Sequence, residues 1–258
     1  MKKYELMEET KILSFGTVLH RIRAVRDFML VYGTNVKAGD LGGWIEKEVN
    51  LSHNGSAWVS GEALVYGEAL VYGDARVYDN AQIYSEARVS GKARVSGKAQ
   101  IYGEATVDDD ARVSGDARVY DNAQIYGDAL VDGKAQIFGE ASVDGEARVS
   151  GDALVDDKAQ IFGDALVESL RDYFVYKNAW SSGRWFTYTR SNRMWKVGCF
   201  RGTGDELIAK AYKDSELSGK CYEAIVRVQE EIDKAIAINE AKRIYNGGGE
   251  KQKEGAVQ

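Results

Sequence analysis

From Gly55 to Glu168 one six-residue phrase, G-[DEKN]-A-x-[VI]-x with minor variants, is repeated nineteen times without a residue gained or lost. Self-similarity at a fixed short period constrains the architecture more than any local propensity does. Within each phrase the Ala and the Val or Ile stand two apart, so in an extended chain they project to one side. Each phrase is therefore a short strand. The Gly, Asp or Ser that opens it, followed by a charged or amide residue, is a turn signal that bends the chain before the next strand. If three such corners close a circuit, eighteen residues make one coil. Successive coils then stack as parallel strands about 4.8 Å apart, and a little over six of them make a three-sided prism about 30 Å long.

Val59, Val65, Val71, Val77, Ile83 and their successors through Val167 are the expected interior, with Ala at each second inward position because a narrow prism leaves little room. Burying one Val or Ile contributes roughly 1.5 to 3 kcal/mol, too little for a lone coil against the entropy of ordering it. Stability must come from stacking. The chain has no proline, as expected where nearly every backbone N–H joins a ladder.

Residues 1–54 read as a cap over the first coil. Thr17 to Val25 is strand-like, and Lys37-Ala38-Gly39-Asp40-Leu41-Gly42-Gly43-Trp44-Ile45-Glu46 ends in residues suited to covering an open edge. The succession of His20-Arg21-Ile22-Arg23-Ala24, that glycine-rich run, Asn50-Leu51-Ser52-His53 and then hexads resembles a family of hexapeptide-repeat proteins found in bacteria and often in prophages and phages. Some of its members are labelled polymer-forming or acyltransferase. The resemblance spans about residues 15 to 168. It implies a left-handed parallel β-helix, mainly β in class, and a mobile-element origin, for which a host defence protein is one partner to expect.

After Glu168 the composition changes. Tyr173 to Phe200 is rich in aromatics, in runs suited to three short strands joined at Ser181-Ser182-Gly183 and near Ser191-Asn192. Thr203-Gly204-Asp205-Glu206 has capping-box spacing, with Leu207, Ile208, Ala211 and Tyr212 as the stripe of a short helix. A second helix is expected from near Ser218. Its Cys221, Ile225, Val228, Ile232 and Ala235 alternate steps of four and three, the seam of helices that pack together, on this sheet or on another subunit. The expected units are thus a cap at 1–54, a β-helix at 55–168, a small α+β module at 169–246 and a disordered tail at 247–258. Trp195 to Thr203 also resembles a small module appended to various phage proteins.

Charge is unevenly divided: residues 55–168 carry 10 Lys and Arg against 21 Asp and Glu, whereas residues 169–258 carry 16 against 12. An acidic prism argues against duplex nucleic acid lying along it. No apolar run is long enough to span a bilayer and no signal peptide is evident, so the cytoplasm is expected, without membrane attachment. Cys199 and Cys221 fit no metal or disulfide pattern and read as free buried thiols.

Eighteen-residue spacing turns the outer faces into ladders. Tyr66, Tyr84, Tyr102, Tyr120 and Phe138 form an aromatic column, to be read either as stacking on a solvated face or as a subunit contact in a homotrimer. Arg76, Arg94, Arg112 and, beyond Leu130, Arg148 form a second column suited to carboxylate or phosphate. Asp74, Asp110, Asp128 and Glu146 beside it are placed to neutralise it. These columns are the candidate surfaces for a protein partner or a small anionic ligand.

Catalysis has weaker support. Acyltransferases of the resembled family use a histidine base and a loop that interrupts the coils. Here the only histidines, His20 and His53, lie outside the hexads, and no loop interrupts them. His53 is the one catalytic candidate, acting as base with acetyl-CoA. No metal site, cofactor motif, phosphate loop or nucleophile elbow is present. The expectation is a non-catalytic scaffold, with acetyl-CoA-dependent acyl transfer as the alternative.

Overall fold

A computed structural model describes residues 2–180 and 182–250, with side chains described as far as Lys242. Five strands come first: β1 (Tyr4–Ile12), β2 (Val18–Ala24), β3 (Phe28–Met29), β4 (Asn35–Val36) and β5 (Leu41–Ile45). Nineteen two-residue strands follow, from β6 (Trp58–Val59) to β24 (Leu166–Val167). Each of the first sixteen lies parallel to the strand eighteen residues on, as Gln82–Ile83 does to Gln100–Ile101. Three sheets result. The first face contains Leu64–Val65 and every third strand after it, the second Leu70–Val71 and its successors, and the third Trp58–Val59 and its successors.

Every inward Ala and Val or Ile from Ala57 to Val167 is at most 1% exposed. The ladder is regular: Gln100 N–H donates to Ala117 O at 2.9 Å and Tyr102 N–H to Val119 O at 3.0 Å, always from one coil to the next. All nineteen corner-opening residues have positive φ, including Asp79, Ser85, Asp109, Asp121 and Asp157. Gly115 shows why glycine is favoured there. A Cβ on it would sit 2.7 Å from Gly133 O of the coil above.

The solenoid begins one coil earlier than its hexads. Trp44–Ile45 of β5 pairs in parallel with Leu64–Val65, and Leu51 bridges to Val71. Both partners are twenty residues on rather than eighteen, because two extra residues between Leu51 and Val59 interrupt the period. This coil is irregular where a 3₁₀ turn, Glu48–Asn50, directs the Asn50 N–H to Lys47 O. The buried Asn50 side chain donates in its place to Gly67 O at 3.0 Å and Ala69 O at 2.9 Å. Strands β1 and β2 extend the first face antiparallel, and β1 was not anticipated from sequence.

At the other end four antiparallel strands, rather than three, form the aromatic sheet: β25 (Tyr173–Lys177), β26 (Trp185–Thr189), β27 (Met194–Val197) and β28 (Phe200–Gly202). The fourth is only three residues long and follows a two-residue turn at Gly198-Cys199, too short a run to stand out in sequence. Of the expected joint at 181–183, Ser181 lies outside the described residues. Helix α1 (Gly204–Asp214) has the expected capping box, with Glu206 N–H donating to Thr203 Oγ1. Helix α2 (Glu216–Glu250) runs past Gly247–Gly249, where order was expected to end. A glycine costs a helix about 1 kcal/mol, which weakens it without obliging it to stop. The remainder of the expected tail, 251–258, lies outside the described residues. Both cysteines are free, but neither is buried: Cys199 is exposed at its turn and Cys221 is half-buried.

Candidate functional site

The aromatic column is real as geometry. Tyr66, Tyr84, Tyr102, Tyr120 and Phe138 stack with centroids 4.9 to 5.1 Å apart and planes within 5°. The coil repeat imposes this spacing, and it commits each inner ring's π faces to its neighbours. Partial burial pushes the Tyr84 hydroxyl up to about 12, with Tyr102 and Tyr66 adding to the shift. What the column offers outward is ring edges and hydroxyls, beside Gln82, Gln100, Arg118 and Gln136 of the same face.

The arginine column is also in register: Arg94 pairs with Arg76 on one side and Arg112 on the other, and Leu130 separates Arg112 from Arg148. The expected neutralisation does not occur. Among the described residues none of Arg76, Arg94, Arg112 and Arg148 has a carboxylate within the 4.0 Å of an ion pair. The acidic residues sit on corners, and corner side chains run along the prism axis to the same corner of the adjacent coil. Asp74 accepts from Ser56 N–H at 3.0 Å and Ser56 Oγ at 2.8 Å, Asp110 faces Lys92 at 3.8 Å, and Lys158 pairs with Glu140. Asp74 and Asp110 are taken up in this way, Asp128 and Glu146 bond to no described residue, and the arginines of the face between the corners are left without a carboxylate partner.

The hairpin of β3 and β4, which sequence reading treated only as part of the cap, reaches over this face. Tyr32 places its ring 4.7 Å from the Arg94 guanidinium and donates to Asp110 Oδ1 at 3.1 Å. Arg94 Nε is buried without a hydrogen-bond partner. Phe28 meets Trp58 edge-on at 5.3 Å, anchoring the hairpin at the start of the third face. Arg112 and Arg148, beyond its reach, are exposed.

His53 sits in the cap. Its Nδ1 accepts from Lys3 N–H at 3.1 Å, its Nε2 contacts Glu48 Oε1 at 2.7 Å, and its ring stacks on Tyr4 at 4.4 Å. Both ring nitrogens are thus engaged. His20 is held through Nδ1 by Met7 O at 3.0 Å. Near it, Glu62 binds Lys11 at 2.7 Å and Arg21 at 2.9 Å, and these cations with Trp44 pull its carboxyl down to about 2.

The α2 seam turns out not to be the packed side. Val226 and Gln229 face the sheet and are buried, whereas Val228 is 54% exposed and Ala235 is also exposed. Ile225 alone of the seam packs on the module's core. The anchoring side is polar, with Tyr176 donating to Gln229 at 2.7 Å and Tyr188 to Asp233 at 2.5 Å, so hydrophobic periodicity could not reveal it. No helix among the described residues is long and apolar enough to cross a membrane.

Stacked parallel strands on three faces, closed at both ends, define the chain as a β-solenoid repeat protein. It is similar to the YdcK beta solenoid repeat, which matches residues 69–85, 111–124 and 123–139, all within the regular coils. No curated protein matches the chain.

Proposed function

We propose that the protein is a non-catalytic scaffold of phage or prophage type, wound left-handed as its family resemblance implies, that presents its third face to an anionic partner. The observation that carries this reading is the arginine column without carboxylate partners. In-register guanidinium groups repel one another, and a partner carrying carboxylates or phosphates would relieve that repulsion in forked geometry. A host defence protein with an acidic surface, or a small anion, fits the same chemistry. The engagement of both His53 nitrogens in the cap supports binding over acyl transfer.

Calorimetric titration of the full chain with an acidic peptide, beside a turnover assay with acetyl-CoA, tests the proposal. The expected result is salt-sensitive peptide binding that weakens at least about tenfold when Arg94, Arg112 and Arg148 are all replaced by Gln, since each charged hydrogen bond contributes about 1.5 to 3 kcal/mol. Acetyl-CoA turnover abolished by His53→Ala, or peptide affinity indifferent to the triple replacement, overturns it. The tyrosine edge of the first face is the contact we propose for a homotrimer. Tyr84→Glu with Tyr102→Glu should lower the sedimenting mass to that of one chain, and an unchanged mass removes this face from the assembly.

A further inference from the structure

Between the aromatic sheet and the two helices lies a cleft of about 630 Å³, within the range of about 300 to 1,000 Å³ usual for small-molecule sites. Each of its carboxylates takes a hydrogen bond or ion pair within the chain. Asp233 takes hydrogen bonds from Tyr188 at 2.5 Å and Gln229 at 3.1 Å, while Glu230 and Asp205 bind Arg227 at 3.0 and 3.3 Å.

Several of its donors have no such partner. Trp195 is only 2% exposed, lines the cleft, and its indole N–H makes no hydrogen bond with any described residue. Beside it is the start of α1, an eleven-residue helix. The capping box satisfies the Glu206 amide through Thr203 Oγ1, but the Gly204 and Asp205 amides, at the start of the first turn, have no carbonyl partner in the helix. Gly204 brings that backbone close to the indole: a Cβ there would lie 3.4 Å from Trp195 Nε1 and 2.5 Å from Val226 Cγ1. Arg193, two residues before Trp195 and lining the same cleft, has no ion pair. It is also the one non-glycine residue outside the solenoid corners with positive φ among the described residues, at 55°.

The unpartnered indole N–H of the buried Trp195, two open helix amides and the unpaired Arg193 guanidinium all border this cleft. We infer that this cleft binds a small organic carboxylate, its anionic end between Trp195 Nε1, the start of α1 and Arg193, its apolar body against Tyr188, Val226 and Ala237. A singly charged group suits the site better than a phosphate dianion, because Asp205, Glu230 and Asp233 line the same walls. The site is separate from the arginine column of the third face, and either can fail without the other.

The experiment follows the indole resonances of the ¹⁵N-labelled full chain, with the Trp195 signal assigned by its loss in Trp195→Phe. Sodium benzoate, acetate, phosphate and chloride are titrated at constant ionic strength. Benzoate should shift the Trp195 signal saturably and bind more tightly than acetate, with chloride inert. Arg193→Asn keeps a residue tolerant of positive φ and removes the guanidinium, so it should weaken benzoate at least about tenfold while leaving the other indole signals in place. A Trp195 signal that no carboxylate moves, that phosphate moves at lower concentration than benzoate, or that responds equally in Arg193→Asn overturns the inference.

Discussion

The two ends of the solenoid face the same structural problem with opposite chemistry. Each coil donates its N–H groups to the coil that follows, so the first coil is left with carbonyls and the last with amides. The N-terminal cap accordingly supplies donors: Lys3 Nζ reaches Ala57 O at 2.6 Å and Gly55 O at 3.4 Å, and Asn50 Nδ2 reaches Gly67 O and Ala69 O. The C-terminal module supplies acceptors. Gln160 N–H donates to Thr187 Oγ1 at 2.9 Å, Leu166 N–H to Ser191 Oγ at 2.7 Å, and Glu168 N–H to Asp172 Oδ2 at 2.9 Å. A parallel ladder has a direction, and its caps cannot be exchanged.

The ends also differ in depth. Lys3 and Asn50 are wholly buried, whereas at the other end only Thr187 is buried and the Ser191 and Asp172 contacts lie at the surface. Loss of a buried partner costs about 1 to 3 kcal/mol per orphaned group, and loss of an exposed cap about 0.5 to 2. Asn50→Leu should therefore have the largest effect, lowering stability by about 2 to 5 kcal/mol in urea unfolding, because two carbonyls and the Lys47 amide lose their partner together. Lys3→Met should cost about 1 to 3 kcal/mol, with faster hydrogen exchange confined to the first coils. Asp172→Ala should cost least, about 1 kcal/mol, with faster exchange at Glu168 and Ser169. If Asp172→Ala proves as costly as Asn50→Leu, burial is not what separates the ends.

Titration sharpens the contrast further. Burial, with Arg26 nearby, lowers the Lys3 ammonium from 10.5 to about 8. Between those values the unfolded chain binds the extra proton, so folding stability should rise with pH from about 8 towards 10. The slope should vanish in Lys3→Met. Tyr84, raised from 10.0 to about 12, acts with the opposite sign: its contribution is complete below pH 10 and is lost as pH rises from 10 to 12. A stability curve that peaks near pH 10 in the native chain, and loses its rising limb in the variant, is the expected result.

Much of this was legible in the residues. Ala at the third and Val or Ile at the fifth position of each hexad placed the interior, the three faces and both outer columns by number. The unpaired state of the arginines was not legible, because adjacency in sequence, Asp74 to Arg76, does not show that a corner side chain points along the axis to the next coil. The extra coil was hidden by the two residues inserted after Leu51. In the C-terminal module the α2 seam does not mark the side that packs on the sheet, since that side docks through Gln229 and Asp233, which no hydrophobic pattern marks.

By itself the sequence determined the repeat, because a period of six with inward residues two apart admits one kind of winding surface, and local geometry is enough to build it. Tertiary structure alone decided how the ladder ends. Lys3 is fifty-four residues from Ala57, and Thr187 is twenty-seven from Gln160. Which side chain meets an unsatisfied backbone group at such separations depends on how whole units dock, and no periodicity carries that information.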